Sequence, residues 1–352
     1  MTPTLFPFGD YWWLYAAFTA GVLLLLTLDL GVFHRGERAV GFREAVGWTG
    51  VWISLALLFN VALYFYARWV LAVDPRLAGL PDFDPDSAAW QTALEFLAGY
   101  VVEYSLSVDN IFVFVLVFRY FAVPVEFQHR VLFYGILGAL VFRAAFVAVG
   151  SVLMQFHWVI WVFGLFLIVT GVKFAVIETT IDPERNLLLR LLRRLIPVTP
   201  GFRGQRFIVR EDGRLLATPL LVAVCCVEAT DIVFAIDSVP AIYALTREPL
   251  VVFTSNVFAI LGLRSLYFLL GGAVEKFHLL RFGLAAVLVF VGLKMVWLDD
   301  WFGGKFPIVV SLAIIGSVLA ASMILSVLWP RRPEKVGSGA PAGKASPSSR
   351  TA

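Results

Sequence analysis

The sequence predicts an all-α polytopic membrane protein with about nine transmembrane helices. Of its 352 residues, 60% are hydrophobic and only 15% are charged, whereas soluble proteins average about 25% charged residues. The mean hydropathy is +0.85. Several apolar stretches reach the roughly 20 residues that a helix needs to cross a bilayer. Lysine and arginine concentrate in alternate connecting segments, as they do in proteins that cross a membrane repeatedly.

The apolar stretches define nine predicted spans, at about 11–33, 46–68, 90–118, 131–154, 157–177, 217–245, 250–272, 280–299 and 306–329. Helix is expected because lipid offers no hydrogen-bond partner to an open backbone. Only a few residues around Phe156 and His157 join spans four and five, which predicts a tight helical hairpin. The predicted organisation is an external N-terminal segment at 1–10, a transmembrane domain at 11–330 and a disordered cytoplasmic tail at 331–352.

The distribution of positive charge predicts the orientation of the chain. The first ten residues contain no lysine or arginine, and the loop between spans two and three is acidic. The odd-numbered loops and the tail are basic, and the loop at 178–216 alone contains eight arginines. The positive-inside rule therefore predicts an external N-terminus and a cytoplasmic C-terminus. This orientation suits an integral protein of a bacterial plasma (inner) membrane.

The arginine-rich loop at 178–216 has predicted structure of its own. Leucine and arginine interleave between 187 and 195, which indicates a basic amphipathic helix on the inner leaflet. The run FIVREDGRLLA predicts two short strands around a turn at Asp212 and Gly213. We interpret the loop as a solvated connector, with a regulatory role as the alternative.

An internal repeat relates two parts of the chain. ILG precedes both Arg143 and Arg264, and GxK endings follow at Lys173 and Lys294. The offset between corresponding anchors stays between 121 and 124 residues. The segments 90–177 and 217–299 are therefore predicted to be two three-helix repeats. Because three is an odd number, the copies would be inverted in the membrane, an arrangement typical of secondary transporters.

Two acidic runs within predicted spans are the candidate site. The run EATDIVFAIDSVP carries Glu228, Asp231 and Asp237, and the run EYSLSVDNIFVF carries Glu103, Asp109 and Asn110. An ionised carboxylate at membrane depth costs at least a few kcal/mol unless a positive charge compensates it. A divalent metal ion or protons would supply that charge. The alternative is a buried polar network that only holds helices together.

The chemistry of these residues favours a hard cation. Carboxylate, amide and hydroxyl oxygens suit magnesium, calcium and manganese(II) and disfavour copper and zinc. Pro240 would free the backbone carbonyl of Ile236 beside Asp237 as a further ligand. A helix break near Ser107 would bring Glu103 and Asp109 closer together, although the residues do not establish one.

The buried cations leave two interpretations open. Arg143, Arg264, Lys173 and Lys294 either extend to a helix end or pair with a buried acid. Alternatively, Arg143 or Arg264 pairs with a site carboxylate and releases it when metal binds. Asn256 is a candidate accessory ligand or a helix–helix hydrogen-bonding group.

Enzyme activity is not expected from the motifs. The chain has no HExxH, no GxSxG and no phosphate-binding loop, and no tightly bound cofactor is expected. An intramembrane aspartyl protease would need two facing aspartates, for which Asp109 and Asp231 are candidates, but the GxGD motif is missing. The adjacent Cys225 and Cys226 are read as buried apolar side chains, with a redox role as the minor alternative.

The motifs resemble those of the TerC/Alx family of integral membrane proteins. The resemblance rests on EYSLSVDNIFVF, DPERN at 182–186, ATPL at 217–220, VEATDIVFAIDSVPAI and FTSNVFAILGLRSLYF, and it covers roughly 10–330. The family has Thr-Thr or a similar pair where this chain has Ala229-Thr230. The resemblance implies a role in metal-ion homeostasis, foremost manganese export, with a historical association with tellurite resistance. It assigns the family's acidic positions to Glu103, Asp109, Asn110, Glu228, Asp231 and Asp237.

Two functional hypotheses follow. The first is a secondary transporter that exports manganese(II) or another divalent cation from the cytoplasm, in exchange for protons. The second is a non-transporting membrane factor for protein assembly or metal delivery. Expected partners are the cation, protons and membrane lipid, without nucleic acid. Metal selectivity, coupling ion and oligomeric state stay open at the level of the sequence.

Overall fold

The computed structural model describes residues 4–33, 41–78, 83–176, 197–211, 213–270, 278–302 and 306–329. Its helices are α1 (Phe8–Phe33), α2 (Phe42–Val73), α3 (Pro85–Tyr120), α4 (Val125–Leu153), α5 (His157–Val176), α6 (Pro219–Tyr243), α7 (Pro249–Leu261), α8 (Leu263–Leu270), α9 (Leu280–Leu293), a π-helix (Lys294–Leu298), α10 (Asp299–Trp301) and α11 (Ile308–Leu328). Two strands, β1 (Ile208–Glu211) and β2 (Arg214–Ala217), precede α6.

The all-α polytopic fold is confirmed. Within the described ranges, eight helical segments are long and apolar enough to cross a membrane, and a bent helix pair would make a ninth span. The bent pair changes one prediction, because the span expected at 250–272 is two helices, α7 and α8. They meet near Gly262 at an angle of 40°. The inverted relation between the repeats stays a prediction.

Helix α3 lies at the centre of the bundle. It packs against α2, α6, α7 and α11. The rings of Phe59 and Phe258 are 4.8 Å apart, and Phe96 joins the same cluster between α2, α3 and α7. Aromatic rings at these separations bury much apolar surface in a defined geometry. This packing holds the middle of α3 against the helices that carry the candidate site.

Helices α5 and α9 approach closely through glycine. A Cβ added at Gly292 would lie 2.6 Å from the carbonyl oxygen of Gly164, so no larger residue fits there without a shift. Small residues at such positions let helices pack by close backbone contact, which is common in membrane proteins. The short connection predicted between spans four and five is present, since α4 ends at Leu153 and α5 begins at His157. The tight hairpin expected from it is not, because α4 packs on α6 and α7 whereas α5 packs mainly on α9.

The predicted strand pair is confirmed in the antiparallel hairpin β1–β2. Gly213 in its turn has φ +77°, a conformation that glycine adopts at little cost. Phe207 packs on Tyr134 of α4, with ring centroids 4.9 Å apart. We call this end of the bundle the hairpin side and the other end the far side. The predicted amphipathic helix at 187–195 and the tail at 331–352 lie outside the described residues.

On the far side, an ionic contact stabilises the end of α2. Arg76 Nη2 lies 2.5 Å from Asp74 Oδ2, and the Tyr11 hydroxyl donates to the same carboxylate at 3.0 Å. Hydrogen bonds from Arg76 lower the pKa of Asp74 to about 2. The N-terminal segment is fixed nearby, because the backbone N–H groups of Leu5 and Phe6 donate to the carboxylate of Glu248.

Candidate functional site

Two polar faces meet in the middle of the bundle. On α3, Glu103, Ser107 and Asn110 follow one another at spacings of four and three residues, which aligns them on one helical face. On α6, Asp231 lies midway between Pro219 and Tyr243. Helix α3 continues without a break past Ser107, so the sequence alternative of a local break there does not occur.

Arg143 of α4 joins these faces. Its Nη1 donates to Glu103 Oε1 in a short ion pair and to Asn256 Oδ1 at 2.9 Å. Its Nη2 donates to Asp231 Oδ1 at 3.1 Å. The side chains are enclosed: Arg143 is 1% exposed, Glu103 0% and Asp231 3%. One guanidinium thus bridges carboxylates from two helices and an amide from a third.

The two asparagines complete the network. Asn110 Nδ2 contacts Asp231 Oδ1 at 3.4 Å, and Asn256 Nδ2 contacts Glu103 Oε2 at 3.4 Å. We call Glu103, Asn110, Arg143, Asp231 and Asn256 the central network. Both asparagines are fully enclosed. Asn256, predicted as a ligand or a helix–helix hydrogen-bonding group, makes the second kind of contact in this arrangement.

Two buried oxygens at the network, Asn110 Oδ1 and Ser107 Oγ, have no hydrogen-bond partner within the described part of the chain. Ser238 Oγ, two helical turns after Asp231 on α6, also has none there. Buried polar atoms are normally satisfied by protein groups, ordered water or an ion. The site therefore contains oxygen atoms able to bind an ion or a water molecule, next to two carboxylates that share one guanidinium.

Glu228 occupies a separate position one turn before Asp231 on α6. A Cβ built on Gly138 of α4 would lie 2.1 Å from Glu228 Oε1, so the carboxylate fills the space that a missing side chain leaves. Its Oε2 is buried without a hydrogen-bond partner among the described atoms. Glu228 is close enough to Asp231 for direct electrostatic interaction.

Three of the remaining predicted residues lie away from the central network. Asp237 is half-buried and interacts with Lys173 and Thr170 of α5. Lys294 is buried, and its Nζ donates to the carbonyl oxygen of Ala244 at 2.5 Å. Lys173, expected within an apolar span, has an exposed side chain.

Two further predicted residues are described less fully. Arg264 is buried at the start of α8. Asp109 belongs to α3, but its side chain lies outside the described part of the structure.

The described side chains do not form a preassembled metal centre. Among them, no three histidine, cysteine, aspartate or glutamate groups come together closely enough to hold an ion. Of the six predicted ligands, the central network contains Glu103, Asn110 and Asp231, with Glu228 adjacent. Arg143 lies between Glu103 and Asp231, so a cation that bridged these two carboxylates would displace its guanidinium.

Sequence reasoning gave Gly138 and Ser238 no role. Gly138 belongs to the ILG motif that marks the repeat, but its effect depends on how α4 packs on α6. Ser238 lies seven residues after Asp231, a spacing of two helical turns that places both on one face. This spacing is the feature of the sequence that would have identified Ser238.

These observations define a polytopic integral membrane protein with a buried ionic network at the centre of its helices. Residues 88–334 match the model of the Integral membrane protein TerC family. The chain belongs to the TerC family.

Known relatives cover nearly the whole chain. An "Uncharacterized membrane protein" of Myxococcus xanthus is 49% identical over 330 residues, 93% of this chain and 96% of that protein. "Putative membrane-bound redox modulator Alx" of Escherichia coli K12 is 41% identical over 332 residues, 93% of this chain and 98% of that protein. An "Uncharacterized membrane protein" of Rickettsia felis is 34% identical over 309 residues, with coverage of 87% and 95%. No solved structure matches.

Proposed function

We propose that this protein is a secondary transporter that exports a divalent cation, most simply manganese(II), from the cytoplasm in exchange for protons. The observation that carries the proposal is the central network. Carboxylates of Glu103 and Asp231, on different helices and fully enclosed, share the single guanidinium of Arg143. Networks that only hold membrane helices together mostly use neutral side chains. Ionisable residues at membrane depth usually mark ion pathways.

Charge balance explains how the network would bind and release a cation. Two ionised carboxylates and one guanidinium sum to one negative charge, which one proton neutralises. A divalent cation neutralises both carboxylates by itself once the guanidinium moves away. Exchange of the cation for Arg143 and a proton therefore keeps the buried site neutral. Neutrality matters because an uncompensated charge at this depth costs at least a few kcal/mol.

The oxygen donors suit such a cation. Glu103 and Asp231 supply carboxylates, and Asn110 and Asn256 supply amide oxygens. The Ser107 hydroxyl, which has no partner among the described atoms, lies on the same face of α3. Cations that prefer about six oxygen ligands match this set better than copper or zinc. The choice of manganese among them rests on the family resemblance.

The redox description of the Escherichia coli relative does not transfer readily. The only cysteines of the chain are Cys225 and Cys226, and both are free thiols on α6. Neighbouring helical residues point about 100° apart, so a disulfide between these two would require α6 to unwind. We therefore propose cation transport and not thiol exchange.

Manganese(II) uptake into inside-out vesicles tests the proposal. We expect uptake with the wild type and its loss with Glu103→Gln or Asp231→Asn, which keep side-chain shape and remove the charge. Glu126→Gln is the control, because Glu126 lies in the first turn of α4 with an exposed side chain and takes no part in the network. It should transport normally.

Two outcomes would count against the proposal. If the wild type moves no divalent cation, the protein is not this transporter, and a non-transporting role in assembly or metal delivery becomes the alternative. If the wild type transports but both network variants transport equally well, the cation uses another path. Folded protein in the membrane has to be verified for each variant by its monodisperse elution in detergent.

A further inference from the structure

A polar cavity lies on the far side, away from the central network. It has a volume of about 50 Å³, enough for a few water molecules. Its lining includes Gln91 and Glu95 of α3, Thr246 of the α6–α7 turn, and Lys294 of the π-helix. A polar cavity at the end of a helix bundle can form part of an ion path.

Glu95 is the acid of this cavity, and the proposed transport chemistry has not used it. It is 7% exposed, and its carboxylate accepts hydrogen bonds from Gln91 Nε2 at 2.7 Å and from the Thr246 hydroxyl. A carboxyl group this enclosed is costly in an apolar bundle unless it has polar partners or a function. Its neighbours hold it at the cavity wall.

Helix α3 carries residues of both the cavity and the central network. Gln91, Glu95, Gly99 and Glu103 follow at intervals of four residues, so each is rotated by about 40° from the one before, and Glu95 and Glu103 are about 80° apart around the helix. Glu95 precedes Glu103 by eight residues, about 12 Å along the axis. Between them, a Cβ on Gly99 would lie 2.7 Å from Ser255 Oγ of α7. Helices α3 and α7 therefore pack closely between the two acids.

The α6–α7 turn is hydrogen-bonded to α3 and to the π-helix at the cavity. Thr246 holds it to α3 through Glu95, and Lys294 holds it to the π-helix through the Ala244 carbonyl. Lys294 also lies 3.7 Å from Asp299. The turn links the helices that carry Asp231 and Asn256, so its movement would act directly on the central network. π-helical segments within α-helices frequently occur at functional sites.

The charges around the cavity favour release over retention. Glu95 and Asp299 contribute negative charge, and Lys294 and Arg247 contribute positive charge. Their sum is zero, whereas the central network carries an excess of carboxylate. Conduction needs sites that admit an ion without holding it tightly.

We propose that this cavity is the exit of the transport path and that Glu95 is a second, weaker carboxylate site through which the divalent cation leaves. The proposal rests on the proposed transport function and on the predicted external position of the far side. The contacts of Thr246 and Lys294 hold the exit closed, and the exit opens when the α6–α7 turn moves.

The Glu95→Gln variant distinguishes a failure of the exit proposal from a failure of the proposed transport function. We expect manganese(II) uptake into inside-out vesicles to fall at least tenfold while manganese binding to the purified protein changes less than twofold. Asp231→Asn should lose both, and Glu126→Gln, an exposed acid in the first turn of α4 that lines neither the cavity nor the network, should lose neither. If the wild type and Glu95→Gln take up manganese(II) equally well, the exit proposal is overturned and the proposed transport function stands. Absence of uptake by the wild type overturns both.

Cysteine labelling tests whether the cavity is accessible from the external side. In a Cys225→Ala, Cys226→Ala background, Thr246→Cys is treated with a membrane-impermeant thiol reagent on the external side of intact cells. Thr92→Cys is the matched control, because Thr92 is 1% exposed and Thr246 is 3% exposed, but Thr92 does not line the cavity. We expect labelling at 246 at least tenfold faster than at 92. Equal rates, or labelling at 246 only from the cytoplasmic side, overturn the proposal.

Discussion

Arg143→Met removes the one cation that joins the two buried carboxylates of the central network. The variant loses the contacts to Glu103, Asp231 and Asn256 and leaves two enclosed acids without a counter-charge. Removing one partner of a buried ion pair destabilises a protein by about 3–5 kcal/mol. Arg68→Met is the matched control, because Arg68 pairs with Asp86 at the surface. That loss should be about 0–1 kcal/mol.

The assay is reversible unfolding of the purified protein by a denaturing detergent, compared between the two variants. Adding Glu103→Gln and Asp231→Asn to Arg143→Met removes the uncompensated charges, so more than half of the lost stability should return. Manganese(II) should also stabilise Arg143→Met more than the wild type, since the ion no longer competes with a guanidinium. If Arg143→Met is as stable as Arg68→Met, the buried charges do not interact as described, and the reasoning fails.

Two further predictions concern other parts of the fold. Gly138→Ala places a Cβ 2.1 Å from Glu228 Oε1, so the carboxylate has to move and manganese transport should fall. Gly316→Ala, with nothing within 4 Å, should leave transport unchanged, and equal rates for both variants would contradict the role assigned to Gly138. The pKa of Asp74 is lowered from 3.8 to about 2, so its contribution to stability is complete above 3.8 and disappears as pH falls toward 2. Asp74→Asn should therefore lower the unfolding temperature at neutral pH, and the difference should vanish as pH falls through 2. A pH-independent difference would be inconsistent with this ion pair.

The transmembrane helices were predictable because lipid imposes a simple requirement on composition and length. Predicted spans and observed helices overlap closely, although their ends differ by as many as six residues, as for 131–154 and α4 (Val125–Leu153). The bend between α7 and α8 was not predictable, because Gly262 lies in an apolar run without proline. The strands β1 and β2 were predictable because Asp212 and Gly213 form a strong turn signal between short alternating segments.

The candidate site was predictable in its residues but not in its connections. Glu103 and Asp231 stood out because carboxylates are expensive in apolar spans. The sequence left two interpretations of Arg143 open, since its partners lie on three other helices and only packing brings them together. Asp237 had the same local signal as Asp231, but it lies on another face of α6 and interacts with α5. The role of Gly138 was not predictable because it depends on packing: the absence of a Cβ leaves room for the Glu228 carboxylate of α6.

The most direct test of the central claim is manganese(II) binding to the purified protein, followed by loss of the electron paramagnetic resonance signal of the free ion. We predict saturable binding by the wild type, loss of binding in Asp231→Asn, and tighter binding in Arg143→Met, because the guanidinium no longer occupies the site. Equal binding by the wild type and Asp231→Asn would contradict the claim that the central network is where the cation binds.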